Sequence, residues 1–233
     1  MKLYVYCLTG QIDALARPVT GISGASVDIV NLEGFSLLVS EFDGEQAPVT
    51  RENALTHDSV IRSVLDQTTP LPFRFGTLTT EEHLASYAKA RRATIAARLE
   101  LVSGCVEMSV KIISNTDQTD SEVDSRELGP GAAFLEQKRR EIFGSEQAQE
   151  VAGWLQRQVD GLVREEQVSL CPTEKLIVAA AHLVEREQVA AYRECVGNAR
   201  KSRPKLHFLV SGPWPPYSFS NIDLEFKTRF GVS

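Results

Sequence analysis

The sequence predicts an α+β protein of two domains, the C-terminal one ferredoxin-like with the order βαββαβ and the N-terminal one a related α/β sandwich. Three observations carry that prediction. Short runs of period two, such as Leu3 to Leu8 and Cys105 to Ile113, alternate with longer runs of period 3.6. From Cys105 to Val210 the order is β-α-β-β-α-β, the split unit that builds a four-stranded antiparallel sheet with two helices on one face. The third is size: 233 residues, 42% of them hydrophobic, suffice for two cores without disorder or disulfide staples. The expected boundaries are residues 1–103, residues 104–211 with an acidic loop at 115–128, and a proline- and aromatic-rich tail at 212–233.

The first strand runs from Leu3 to Leu8 and closes at Thr9-Gly10. Gly21-Ile22-Ser23-Gly24 leads into a hairpin, Val27 to Val30 and Phe35 to Ser40, joined through Asn31-Leu32-Glu33-Gly34. Asp43-Gly44 marks a turn. A helix follows from Arg51 to Leu65 with Thr50 as its N-cap, because His57, Val60, Ile61 and Val64 share one face. After Pro70 and Pro72, Phe73 to Leu78 reads as a short aromatic strand. Thr80 opens a helix that carries Leu84, Ala88, Ile95, Leu99 and Val102 to a stop at Gly104.

In the strand Cys105 to Ile113, Val106, Met108, Val110 and Ile112 alternate with Glu107, Ser109 and Lys111, the pattern of a half-buried strand. Asn115 to Glu127 holds five acids and almost nothing to bury, so it is expected to be a disordered loop closed by Gly129-Pro130-Gly131. A long helix is expected from Ala132 to Arg164. Strands at Gln167 to Leu170 and Lys175 to Val184 are joined by a turn at Cys171-Pro172-Thr173. A helix from Arg186 to Arg200 and a last strand from Lys205 to Val210 complete the unit.

Charge and composition exclude several functions. The net charge is −6, the opposite of what a general nucleic-acid binder needs to displace counterions. No apolar run approaches the ~20 residues of a transmembrane helix. The opening Met1-Lys2-Leu3-Tyr4-Val5-Tyr6-Cys7 lacks the layout of a signal peptide. A soluble, cytoplasmic protein without membrane partners is expected. Cys7, Cys105, Cys171 and Cys195 form no CxxC pair and read as buried thiols, so neither disulfides nor zinc are expected.

Constellations of catalytic residues are nearly absent. His57, His83, His182 and His207 form no HxxxH or HExxH, and His57 reads as a satisfied histidine at a core margin. Gly21-Ile22-Ser23-Gly24 falls short of a nucleophile elbow, and Gly129 to Phe134 ends in the wrong residue for a dinucleotide loop. Phe73-Arg74-Phe75-Gly76 lacks the order of an RNA-binding strand. Expectations are therefore no catalytic residue, no cofactor and no metal. Two alternatives stay open: a small-molecule-sensing regulatory module, and an enzyme with an interdomain cleft in which His57 and Arg74 are the polar candidates.

Three strings are too peculiar for generic filler: Leu71-Pro72-Phe73-Arg74-Phe75-Gly76-Thr77, the turn Val102 to Lys111, and Gly212-Pro213-Trp214-Pro215-Pro216-Tyr217-Ser218-Phe219. With the Leu3-Tyr4-Val5-Tyr6 opening and helical His57, they closely resemble the gas vesicle protein F/L family from Leu3 to Phe219. The resemblance implies an accessory or minor structural protein of the gas vesicle, the gas-filled protein shell that gives buoyancy. It implies a two-domain α+β architecture, no enzymatic activity, metal or cofactor, and a place in the cytoplasm at the vesicle. Its implied partners are the gas vesicle shell protein and other gas vesicle accessory proteins. Phe73, Arg74, Phe75, Trp214, Tyr217 and Phe219 are the candidate structural or interaction residues. In the tail, Pro213, Pro215 and Pro216 are expected to stop the last strand near Gly212. The arm should then lie back over the protein with a buried Trp214 as its main anchor, fixing the two domains relative to each other. The competing reading leaves its aromatics exposed as a docking site for a vesicle partner.

Overall fold

The computed structural model describes residues 2–114, 146–170 and 176–222. It is a mixed α+β chain in two compact units, Met1–Val106 with Trp214–Ser233, and Glu107–Pro213.

The first unit is built around β1 (Lys2–Gly10), which is buried on both faces from Leu3 to Thr9. Strands β2 (Asp28–Leu32) and β3 (Phe35–Phe42) form an antiparallel hairpin, and β3 pairs antiparallel with β1. The hairpin turn is Glu33-Gly34, both at positive φ (55° and 88°), the geometry that matches strand twist. A register shift between Val5 and Cys7 turns Tyr6 and Cys7 to the same core as Tyr4 and Leu38. Helix α1 (Arg51–Arg62) closes that core with Val60 and Ile61, and Thr50 Oγ1 caps it by accepting from the Asn53 N–H at 3.2 Å.

The aromatic strand expected at Phe73 to Leu78 is absent. Two two-residue strands, β4 (Leu71–Pro72) and β5 (Leu78–Thr79), both pair antiparallel with β1 and leave Phe73 to Thr77 as a turn between them. The turn forms at Gly76 (φ +83°), and the chain stays tied to β1 by Phe73 N–H to Tyr6 O (2.9 Å) and Val5 N–H to Thr77 O (3.0 Å).

The single helix expected after Thr80 is two: α2 (Glu81–Ala90) and α3 (Arg92–Val102), broken at Arg91 (φ −108°, ψ 11°). A straight helix would carry the buried stripe of Leu84, Ala88 and Ile95 through Arg91. The break leaves Arg91 exposed while Ile95 and Val102 are buried.

The second unit has the expected ferredoxin-like order. Strand β6 (Cys105–Ser114), helix α4 (residues 146–158), strands β7 (Glu165–Leu170) and β8 (Leu176–Glu185), helix α5 (Val189–Ser202) and strand β9 (Leu206–Trp214) follow in sequence. They form one sheet of order β7-β8-β6-β9, with β7 and β8 antiparallel. Its core joins Met108, Val110 and Ile112 of β6 to Leu155 of α4, Val196 of α5 and Phe208 of β9.

Three differences from expectation fall here. Helix α4 stops at residue 158 rather than Arg164, because Asp160-Gly161 (Gly161 φ +76°) turns the chain back toward β7. A 3-10 turn (Arg186–Gln188) precedes α5, which itself begins at Val189. And β9 runs on through Pro213 to Trp214 instead of ending near Gly212. Since β9 lies at the edge of the sheet, a proline without an N–H deprives no second neighbour of a ladder bond. The expectations for Asn115 to Glu127, for Ala132 to residue 145 and for the Cys171-Pro172-Thr173 turn lie outside the described residues.

Candidate functional site

Alternation along β1 puts Tyr4 and Tyr6 on the face covered by α1, where His57 points inward. His57 is 3% exposed, and Nε2 lies 3.2 Å from the Phe73 carbonyl. A carbonyl only accepts, so Nε2 carries the proton and Nδ1 is the acceptor. The Tyr4 hydroxyl donates to Nδ1 at 3.0 Å, and its oxygen accepts the Gly76 N–H at 3.0 Å. One His–Tyr pair therefore fixes the helix, the strand and the Phe73–Gly76 turn together.

Burial holds the His57 imidazole down to about 4 and pushes the Tyr4 phenol up to about 12, so both are neutral near pH 7. Rings surround them, with Tyr4–Tyr6 centroids at 4.8 Å and His57–Phe75 at 5.7 Å. Tyr6 in turn accepts the Ile22 N–H at 2.8 Å and shares a hydrogen with Ser40 Oγ at 2.9 Å. A Cβ at Gly21 would stand 2.2 Å from the Tyr6 hydroxyl, so glycine is required there.

The tail crosses the outer side of α1. Arg62 binds Asp58 one turn earlier, Nε to Oδ2 at 2.6 Å, and its guanidinium lies 4.4 Å from the centre of the Trp214 ring. The Tyr217 hydroxyl donates to the other oxygen of Asp58 at 3.2 Å. Burial, followed by the Asp58 charge, raises the Tyr217 phenol. Beyond it Phe219 is fully buried, and the Tyr87 hydroxyl donates to the Ile222 carbonyl at 2.8 Å.

The six candidate residues thus divide. Phe73 and Phe219 are interior, Phe75 is half-buried against His57, and Arg74 is exposed. Trp214 and Tyr217 are exposed by 37% and 38%. The expected buried anchor at Trp214 is corrected: the anchor is Phe219, because the Trp214 ring is spent on a surface cation instead. Of the thiols, Cys7 and Cys105 are buried, Cys195 is half-buried with its S–H donating to the Gln158 carbonyl at 2.7 Å, and Cys171 lies outside the described residues.

Sequence reasoning missed Asp58 and Arg62, whose i,i+4 spacing on the outer face of α1 was the available signal. It also missed a second buried pair. His182 of β8 is fully buried, with Nδ1 2.6 Å from the Tyr192 hydroxyl of α5 and Nε2 3.8 Å from the carboxylate of Glu166 on β7. Burial holds His182 at about 4. Among the described residues no helix is long and apolar enough to cross a membrane, and no group of three or more His, Cys, Asp or Glu could hold a metal.

The family model described as gas vesicle synthesis protein GvpL/GvpF matches residues 2–221. Gas vesicle protein F1 of Halobacterium salinarum is 26% identical over 235 residues, covering 99% of this chain and 98% of that protein. Gas vesicle protein L of a Streptomyces species is 25% identical, covering 94% of this chain and 92% of its own length. The crystal structure of GvpF from Anabaena sp. PCC7120 superposes with a TM-score of 0.79 at 22% identity, covering 95% of this chain and 99% of that one. GvpF from Microcystis aeruginosa does so with a TM-score of 0.76 at 21% identity, covering 94% and 98%.

Proposed function

The chain belongs to the gas vesicle synthesis protein GvpL/GvpF family, and from that premise we propose that it is a non-catalytic accessory or minor structural protein of the gas vesicle, acting in vesicle assembly, and so in buoyancy, through protein–protein contacts. Its partners on this reading are the shell protein and other accessory proteins of the vesicle, met in the cytoplasm. What supports the reading is that the family match runs through both units rather than through one borrowed domain.

The polar chemistry supports it as well. His57, the titratable group best placed by sequence to serve an enzyme, spends both ring nitrogens on Tyr4 and Phe73 inside a closed core. A proton carrier needs a ring nitrogen that reaches substrate. The Tyr4 hydroxyl is likewise committed on both sides. These groups hold a shape, which is the task of a contact protein.

Deleting the gene in a vesicle-forming host tests the reading by electron microscopy. Absent or malformed vesicles, restored by the intact gene, are expected. Vesicles of normal number and shape in the deletion strain contradict it.

A further inference from the structure

We propose that the free edge of β9 is a self-association site, where a second copy of this chain pairs antiparallel about a two-fold axis and the two four-stranded sheets become one. The inference stands apart from the vesicle reading and needs only the chain itself.

Strand β9 closes one side of the sheet β7-β8-β6-β9, so its outer backbone groups meet no further strand among the described residues. Natural proteins blunt such an edge with charge, shortness or a cover. Over most of its length β9 has none of these. It is nine residues long, and Leu206–Trp214 contains no Asp, Glu, Lys or Arg. His207, Leu209, Val210 and Ser211 are exposed, Leu209 by 47% and Val210 by 42%. Only the last residues are blunted, by Pro213 and by Arg193, which donates to the Gly212 carbonyl at 2.8 Å. The other edges are guarded. Strand β7 is six residues long and opens with Glu165-Glu166, and β2 is five residues long and opens with Asp28.

Charge and shape select a second copy as the occupant. Antiparallel pairing centred on Leu209 sets that leucine against its own image on one face of the sheet. On the helix-covered face it sets Val210 against Phe208 of the second copy, since Phe208 belongs to the core there and Val210 follows it at period two. Lys205, exposed and without an ion pair among the described residues, precedes the strand, whereas Gly212 packs on the Glu107 backbone at the other end. The two-fold brings each Lys205 to the Glu107 end of the other strand. It keeps the two Lys205 ammonium groups about 27 Å apart at ~3.4 Å per residue, well beyond the screening length of ~8 Å. An isologous contact also consumes both edges at once and ends assembly at the dimer.

The test is sedimentation equilibrium of the full chain up to about 100 μM, where a dimer of Kd about 10 μM is well populated. The unaltered chain is expected to dimerise. Leu209→Lys and, separately, Val210→Lys are expected to weaken the dimer by about tenfold or more with the far-UV circular dichroism unchanged, because both side chains are already exposed. Val168→Lys, on the opposite edge of the sheet, is expected to leave it intact. Amide exchange of the unaltered chain reads the same edge without a substitution, and protection over Leu206 to Ser211 should rise with concentration. A monomer at the highest concentration, a dimer that survives both lysines on β9, a dimer broken by Val168→Lys, or protection independent of concentration overturns the proposal. Each of these results leaves the vesicle reading untouched.

Discussion

Tyr4 and His57, 53 positions apart, are joined by a 3.0 Å hydrogen bond in which the phenol donates to Nδ1. The direction is fixed at the far side of the ring, where Nε2–H donates to the Phe73 carbonyl. Because the same phenol oxygen accepts the Gly76 N–H, the bond also shapes the turn that replaces an aromatic strand. A sequence-distant pair thereby decides a local conformation.

Tyr4→Phe is expected to keep the fold and lose about 2–4 kcal/mol in urea denaturation, since it strands both His57 Nδ1 and the Gly76 N–H. A loss below about 0.5 kcal/mol would show that the hydroxyl does not hold the turn.

Gly21→Ala is expected to destabilise by about 1–3 kcal/mol, because its methyl group would overlap the Tyr6 hydroxyl. Removing that hydroxyl should relieve the clash, so the two substitutions must couple. A double-mutant cycle with Tyr6→Phe measures it, and strict additivity would rule the clash out.

His57 and His182 make stability depend on pH in a definite direction. Both are held near 4 in the folded protein against about 6.5 in an unfolded chain. Above about pH 6.5 their contribution is fully present. Between there and pH 4 the unfolded chain binds protons that the native core refuses, and stability falls by about 3 kcal/mol for each imidazole. His182→Gln should flatten the decline in urea midpoint between pH 7 and pH 5. An unchanged slope would mean that His182 does not titrate in this range.

The tail offers a comparison of two aromatics, five residues apart, in different environments. Phe219→Ala removes a fully buried ring and should cost about 3–5 kcal/mol, while Trp214→Ala removes a ring that is 37% exposed together with its cation–π contact and should cost less, about 1–2 kcal/mol. Thermal unfolding of the two variants checks the order, and the reverse order would restore Trp214 as the anchor.

Much of the fold was legible because it is written in local periods. Val106, Met108, Val110 and Ile112 mark β6 by alternation alone, and Thr50 announces α1 as its cap. The βαββαβ order followed from such signals, and the structure forms it. What was not legible depends on partners distant in sequence. Phe73 to Thr77 has strand composition, yet Tyr4 and His57 hold it in a turn. Pro213 reads as a strand breaker, yet it is tolerated because β9 has only one neighbour.

The site was half legible for the same reason. PFRFGT and GPWPPYSF drew attention to the correct segments, Phe73 to Gly76 and Trp214 to Phe219. Which of their rings face inward could not be read from spacing, since Phe73 and Phe75 are placed by Tyr87 and His57, and Trp214 and Tyr217 by Arg62 and Asp58, all distant in sequence. His182 and Tyr192 are ordinary residues in sequence and become a pair only when α5 packs on β8.

The central claim is that this chain works by holding other gas vesicle proteins. Its most direct test is a pull-down of the purified chain with the shell protein and each accessory protein of the same vesicle, as purified components at about 0.15 M salt, where stray surface charge is largely screened. The account predicts specific retention of at least one of them. Retention of none, with every component folded and present in excess, would contradict it.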